Sequence, residues 1–196
     1  VLSFVVGIVS AVKRDSWFDN FGKIFAMLGQ AMPGFWLGLM MILFFSVQLG
    51  WLPTHGMGSL KHLIMPAICL GWYSVAAQTR MIRSQMLDVL DSEYIKMGRI
   101  VGTPNTLLIV KYALKNALIP VITMQGVYFA GMLGGSVIIE TIFAWPGVGR
   151  TIVEAIFSRD YFVVQAGVFF ISVFFVIINL IVDILYAVID PRIRYA

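Results

Sequence analysis

The 196-residue sequence is poor in charge: Lys and Arg number 14 and Asp and Glu 10, and together they make up only 12% of the chain. Soluble domains carry about 25% charged residues. With 60% hydrophobic residues and a mean hydropathy of +0.90, the chain is neither a soluble globular domain nor a disordered one. Its net charge of +4 comes from scattered cations without a dense basic patch, which argues against a nucleic-acid partner. The composition predicts an integral membrane protein.

Cysteine and histidine are nearly absent. Cys69 alone cannot form an intramolecular disulfide, a CxxC pair or a cysteine-based zinc site. His55 and His62 share one polar stretch, which is typical of an ordinary loop. Gly22-Lys23 lacks the upstream glycine and the following Ser or Thr of a Walker A motif. No metal, nucleotide or other cofactor is therefore expected on this chain, and no convergent catalytic group indicates an enzyme.

Long charge-free runs indicate where the chain crosses a membrane. About 20 apolar residues cross about 30 Å of hydrocarbon, and a lipid-exposed segment must be helical to pair its backbone groups. The predicted fold is an all-α, polytopic transmembrane helix bundle, with residues 1–196 forming one domain. Complete spans are expected at about 24–50, 62–86, 116–140 and 162–189.

The start of the chain is apolar but short. Residues 1–12 would form only about 18 Å of helix, and no initiator Met or basic leader precedes them. We therefore expect a truncated helix here, in the C-terminal part of a longer protein.

The distribution of Lys and Arg predicts the orientation. Segments 13–23, 80–115 and 190–196 hold 11 of these residues, whereas the loops 50–62 and 144–161 hold 3. The positive-inside rule places the first group, and with it the C-terminus, in the cytoplasm.

The loop 87–115 is charged yet keeps a helical pattern. Apolar residues recur at spacings of three and four, which predicts an amphipathic helix over 88–102 that ends at Gly102. Thr103 as N-cap and Pro104 as first helical residue would begin a second helix, with a kink at Pro120. Two interpretations are open: a helix lying on lipid headgroups, and a rigid knob that docks into a cytoplasmic partner. The apolar stripe consists of Met86, Leu90, Tyr94, Met97 and Val101.

Glu93–Gly102 and Lys111–Pro120 resemble the cytoplasmic coupling loop of ABC-importer permeases. More narrowly, they resemble that of the first permease subunit of the dipeptide, oligopeptide and nickel importers. Further matches follow in the family's order, although Lys96-Met97-Gly98 stand where this branch usually has Arg-Thr-Ala. These further matches lie at residues 32–38, 48–53, 63–67, 140–150, 159–161, 183–186 and 190–194. The resemblance implies the type I ABC-importer permease fold in a bacterial or archaeal inner membrane.

The resemblance also implies a function and partners. The chain would form half of a translocation path for dipeptides or oligopeptides, with nickel or glutathione as alternatives. Its partners would be a second homologous permease subunit, two cytoplasmic ATPase subunits that hold ATP and Mg, an extracytoplasmic substrate-binding protein and membrane lipid. The implied ATPase-coupling residues are Glu93, Tyr94, Lys96, Gly98, Arg99 and Gly102. Of these, Glu93, Lys96 and Arg99 are expected to make the polar contacts and Gly102 the turn, whereas packing is the favoured role for Tyr94 and for Met97.

Polar residues in or near the spans are candidates for lining the path, because such groups are costly in lipid. Glu140 could instead cap backbone amides at the Trp-Pro-Gly turn that follows it, and Asp183 could form a structural pair. If both acids handled ions, a stand-alone ion-coupled carrier would be the alternative function. The candidates are Gln125, Glu140, Gln165, Asn179 and Asp183.

Overall fold

The computed structural model describes residues 1–189 and, among these, every side chain except those of residues 119, 123, 130, 133–135, 183 and 185–189. Helices are the only regular elements in this part of the chain, as predicted. They are α1 (Leu2–Val12), α2 (Trp17–Ala31), α3 (Gly34–Met41, continued by a π-helical segment Ile42–Gln48), α4 (Leu60–Leu90), α5 (Glu93–Ile100), α6 (Asn105–Leu107, continued by a π-helical segment Leu108–Ala113), α7 (Leu114–Ile142), α8 (Val148–Phe157) and α9 (Tyr161–Ile189).

Two helices within the described residues are long and apolar enough to cross a membrane, namely α4 and the Tyr161–Val182 part of α9. The number rises to four if two pairs, each bent by more than 40°, count as one span apiece. These pairs are α2 with Gly34–Gln48, and Asn105–Leu118 with Pro120–Phe129. The second bend confirms the kink expected at Pro120. Proline has no backbone N–H to donate to the preceding turn of the helix, and its ring clashes with that turn.

The range 24–50, expected as one span, holds parts of two helices. Helix α2 begins at Trp17 and ends at Ala31, and α3 begins at Gly34 after the extended Pro33. The residue before a proline is disfavoured in the helical conformation, which accounts for the break at Met32.

The chain divides into two compact units. Among the described residues, unit 1 comprises Val1–Gln30, Val75–Gln125 and 184–189. Its core draws on α1, α4, α5 and the start of α7, and at Gly7 a Cβ atom would lie only 2.8 Å from Cβ of Ile82. The buried residues of this core are Ala11, Ile82, Met86, Leu90, Ile95, Leu108, Ala113, Ala117 and Val121.

Unit 2 comprises Ala31–Ser74 and Gly126–Asp183. Its buried cluster consists of Met41, Met65, Cys69, Ile139 and Phe143, from α3, α4, α7 and the turn after α7. The carboxyl end of α7 and the turn that follows it are therefore held in place by packing within this cluster.

Candidate functional site

The predicted helix over 88–102 is divided by a turn at Asp91-Ser92. Helix α4 extends to Leu90, and α5 begins at Glu93 after Ser92, which is extended. Gly102 ends the segment with φ +83°, as expected of a helix-terminating glycine. The next helix begins at Asn105, with Pro104 as N-cap, so the expected starting positions at Thr103 and Pro104 are wrong by one residue. Pro104 is extended, which keeps it outside the helix.

This turn divides the predicted apolar stripe into a buried half and an exposed half. Met86 and Leu90 are 0% and 8% exposed, whereas Met97 and Val101 are 61% and 75% exposed. Tyr94 is 47% exposed, and Ile95 takes the buried position on α5. Met97 is therefore not packed inside the chain, whereas Tyr94 is partly covered and accepts a hydrogen bond from Asn116. The apolar face of α5 points away from the core of unit 1.

Helix α5 is nevertheless held firmly to that core. At Gly98 a Cβ atom would lie 2.6 Å from Cδ2 of Leu108, which is itself buried. The glycine thus allows a close approach that alanine would obstruct. On the other side, Nδ2 of Asn116 donates a hydrogen bond of 3.1 Å to the Tyr94 hydroxyl.

The charged side chains of α5 all face solvent. Glu93, Lys96 and Arg99 are exposed, and Nζ of Lys96 donates to Oε1 of Glu93 at 2.8 Å. The hydrogen bond and charge of Glu93 raise the pKa of Lys96 above its ordinary value. The structure thus brings the six expected coupling residues together on one short element and the turn that ends it.

A second polar site in unit 1 was not expected from the sequence. The side chain of Asp19 is 0% exposed, and its two carboxylate oxygens accept from Nε and Nη2 of Arg83 at 2.5 and 2.8 Å. Lys23 and the backbone amide of Asp15 each approach the carboxylate to 3.0 Å. Asp15 has φ 60°, a left-handed conformation that Asp tolerates. Removing one partner of such a buried pair costs about 3–5 kcal/mol.

Glu140, one of the candidates for the path, caps a helix. It lies near the end of α7, and its Oε2 accepts a 3.0 Å hydrogen bond from the backbone amide of Arg150, in the first turn of α8. A carboxylate in this position accepts a hydrogen bond from an amide that has no partner within the helix, and it interacts favourably with the positive end of the helix dipole. The capping contact expected from the sequence is therefore present. A cavity of about 240 Å³ lies beside Glu140, lined also by Ser136, Val148, Gly149, Phe170, Ile171 and Phe174.

The other path candidates lie on α7 and α9. Gln165 is exposed on α9, and Nδ2 of Asn179 donates to the Phe175 carbonyl one turn earlier in that helix. These two lie 14 residues apart, about 21 Å of helix. Gln125 is half-buried in unit 1. The side chain of Asp183 lies outside those that the structure describes, as do residues 190–196.

A larger cavity, of about 320 Å³, lies within unit 2. Tyr73 and Tyr128 are among its lining residues and contact each other edge to face, with ring centroids 6.4 Å apart. Ser74 and Cys69 add polar atoms to a lining that is otherwise mostly apolar. The sequence offered only a weak signal for this cavity, since tyrosines in apolar helices are common in any membrane protein.

Nearly the whole chain matches a family model for membrane proteins. The family model for the binding-protein-dependent transport system inner membrane component covers residues 3–195. The chain belongs to this family. Membership in this family of inner-membrane transport components agrees with the resemblance of the sequence to ABC-importer permeases and with the apolar helices described above.

Curated relatives of the family include the glutathione transport system permease protein GsiC from two bacteria. The chain is 45% identical over 195 residues to the protein of Pectobacterium atrosepticum, and 43% identical to that of Escherichia coli K12. Each alignment covers all of this chain and 64% of the relative. The chain thus spans less than two thirds of the length of these relatives.

Solved structures of the MetNI methionine ABC transporter, in inward-facing conformations, share the fold. Two crystal forms superpose with TM-scores of 0.77 and 0.72, over 96% of this chain and 88% of theirs. Sequence identity is only 17% and 18%, so the likeness concerns the fold. It confirms the predicted type I ABC-importer permease fold.

Proposed function

We propose that the full-length protein is the permease subunit of an ATP-driven importer and that α5 docks on its ATPase subunits. The observation that carries this proposal is the surface of α5. Met97, Ile100 and Val101 are 61–81% exposed, although the buried Ile95 anchors the same helix. An apolar patch with a charged border on a rigid element is typical of a protein interface.

Glutathione is the substrate that we propose, ahead of the dipeptides or oligopeptides favoured on sequence grounds. The support comes from the curated relatives, which are named for glutathione transport and are 43–45% identical over this whole chain. The further partners would be a second permease subunit, two ATPases that hold ATP and Mg, and an extracytoplasmic substrate-binding protein. In this assignment the 87–115 loop faces the cytoplasm, as the positive-inside rule requires.

The cap formed by Glu140 bears on the alternative of a stand-alone ion carrier. A carboxylate that holds the Arg150 amide at 3.0 Å already has a structural role, which weakens the case for that acid as an ion-handling group. The importer reading therefore remains the better supported function.

A pull-down followed by transport in liposomes tests the proposal. The full-length tagged protein, extracted in mild detergent, should retain a second permease and ATPase subunits. The triple variant Glu93→Ala, Lys96→Ala, Arg99→Ala should lose the ATPases, whereas Glu154→Gln, in an exposed ion pair on α8, should retain them. Reconstituted complexes should take up labelled glutathione only with ATP, and unlabelled dipeptides should compete poorly. A protein that emerges alone and transports without ATP would overturn the importer assignment.

A further inference from the structure

The buried face of α2 consists of small residues and one acid. Asp19, Gly22, Ala26 and Gly29 are its buried residues, and a Cβ at Gly22 would collide with the Ser10 hydroxyl. Small side chains permit close approach but bury little apolar area. Small residues of this kind let two helices pack closely, as they do between membrane helices. Because this face of α2 buries little apolar area, its attachment depends heavily on the partners of Asp19.

Asp19 binds α4 through a contact that fixes both distance and direction. Arg83 donates from two nitrogens to the two carboxylate oxygens, and this two-point geometry is the most directional of the protein ion pairs. Lys23 and the Asp15 amide approach the same carboxylate. Helix α2 cannot slide or rotate against α4 without breaking a charge-assisted hydrogen bond to the buried carboxylate of Asp19.

The same stretch of α4 belongs to the core that holds α5. Ile82 and Met86, on either side of Arg83, are fully buried and share one cluster with Leu90 and with Ile95 of α5. Arg83 lies seven residues before Leu90, or about two helical turns. A continuous set of packed contacts thus connects Asp19, through α4, to the helix with the exposed apolar face.

We propose that Asp19 and Arg83 form a positioning tie through which α2 follows the movements of α5. The inference rests on the proposed function, in which ATPase subunits displace α5. For stability alone, a well-packed apolar pair would serve as well as buried charges or better. What the ion pair adds is a fixed register between two helices. Neither residue touches substrate in this role; both act through the helices that carry them.

The first test compares ATP hydrolysis with uptake in liposomes that contain the full-length protein and its partner subunits. Asp19→Asn and Arg83→Gln should lower uptake about ten-fold, within the usual range of coupling between sites, while hydrolysis changes less than two-fold. Arg83→Lys, which keeps the charge but not the two-point contact, should be intermediate. The control is Arg14→Gln, because Arg14 and Asp91 form an exposed pair and such pairs contribute little.

The ratio of ATP hydrolysed to substrate carried separates a positioning role from a merely structural one. A ratio that rises in the Asp19→Asn and Arg83→Gln variants supports the tie. Parallel loss of uptake and hydrolysis, or no change in either, would overturn it. If wild-type liposomes show no ATP-dependent uptake, the proposed function fails, and the tie is decided by the second measurement.

Hydrogen exchange of backbone amides provides that second measurement, since it does not require transport. Compared with the wild type, Asp19→Asn should speed exchange in α2 and leave exchange in α9 unchanged. If this variant unfolds and α9 also loses protection, Arg83→Lys provides the same comparison with the charge retained. Unchanged exchange in α2 in a folded variant would contradict the inference.

Discussion

The carboxylate of Glu140 accepts a hydrogen bond from the backbone amide of Arg150, 3.0 Å away, and so joins the end of α7 to the first turn of α8. The turn between these helices is built around this acid. At Gly147 a Cβ atom would collide with the carboxylate, and at Gly149 it would lie 2.8 Å from Cα of Val137. A side chain at either glycine would therefore clash with its neighbours, and the Glu140 carboxylate occupies the space beside both glycines.

Replacement of Glu140 should separate a capping role from a path role. Glu140→Ala leaves the Arg150 amide without its acceptor and should lower the free energy of unfolding by about 1–2 kcal/mol, measured by thermal unfolding in detergent. Glu140→Gln keeps an acceptor oxygen and should cost less than half as much. If Glu140→Gln instead unfolds like the wild type but abolishes transport, the charge itself is needed and the capping account is incomplete.

Two glycines of α7 offer a matched pair of substitutions within unit 2. A Cβ at Gly126 would lie 2.9 Å from Cβ of Val182 on α9, and closer still to its methyl groups, whereas a Cβ at Gly131 meets nothing within 4 Å. Gly126→Ala should therefore destabilise the protein by about 1–3 kcal/mol through overpacking. Gly131→Ala should leave it unchanged or stabilise it by up to about 1 kcal/mol, because alanine is the better helix former.

Rescue identifies the cause of the Gly126 effect. Val182→Ala removes the two methyl groups nearest to the new Cβ atom, so the double variant should recover part of the lost melting temperature. A Gly126→Ala protein as stable as the Gly131→Ala protein would show that α9 is free to move away.

The helical fold and the capping acid were within reach of the sequence, because both depend on local patterns. Apolar runs required helices, and a glutamate followed by Trp-Pro-Gly indicated a cap near Glu140. The position of α5 was beyond such reasoning. Its spacing of apolar residues continued that of α4 without a break, and only the extended Ser92 turns Met97 and Val101 outward while Ile95 stays buried.

Asp19 illustrates a different limit of sequence reasoning. Its neighbours Lys13, Arg14, Asp15 and Lys23 read as a solvated connection, and its main partner, Arg83, lies 64 residues away. A single sequence contains no signal for such pairing. Asp19, Gly22, Ala26 and Gly29 do recur at spacings of three and four, and that pattern of small residues was the available hint that this face is buried.

The ion pair on α5 predicts a measurable titration. Glu93 raises the pKa of Lys96 above its ordinary value of 10.5. Glu93→Gln should therefore return the Lys96 pKa toward 10.5, as followed by NMR of labelled lysine. Because the folded-state pKa is raised, the contribution of this ammonium is fully present below about pH 10 and is lost as the pH rises through the folded-state pKa. Lys96 should therefore cause no change in the docking of α5 between pH 7 and 9. A loss of docking in that range that disappears when Lys96 is replaced would contradict the raised pKa.

The close approach of Gly98 to Leu108 predicts that Gly98→Ala has opposite effects on stability with and without the Leu108 side chain. Alanine at Gly98 would gain up to about 1 kcal/mol in helix propensity, but its Cβ would lie 2.6 Å from Cδ2 of the buried Leu108. Since overpacking costs about 1–3 kcal/mol, Gly98→Ala alone should destabilise the protein. In a Leu108→Ala background the obstruction is gone, so the same substitution should stabilise it. A coupling energy of about 0.5–3 kcal/mol, the usual range for residues in contact, should appear in the double-mutant cycle. Additive effects would mean that Leu108 simply rotates away, and that Gly98 does not fix the position of α5.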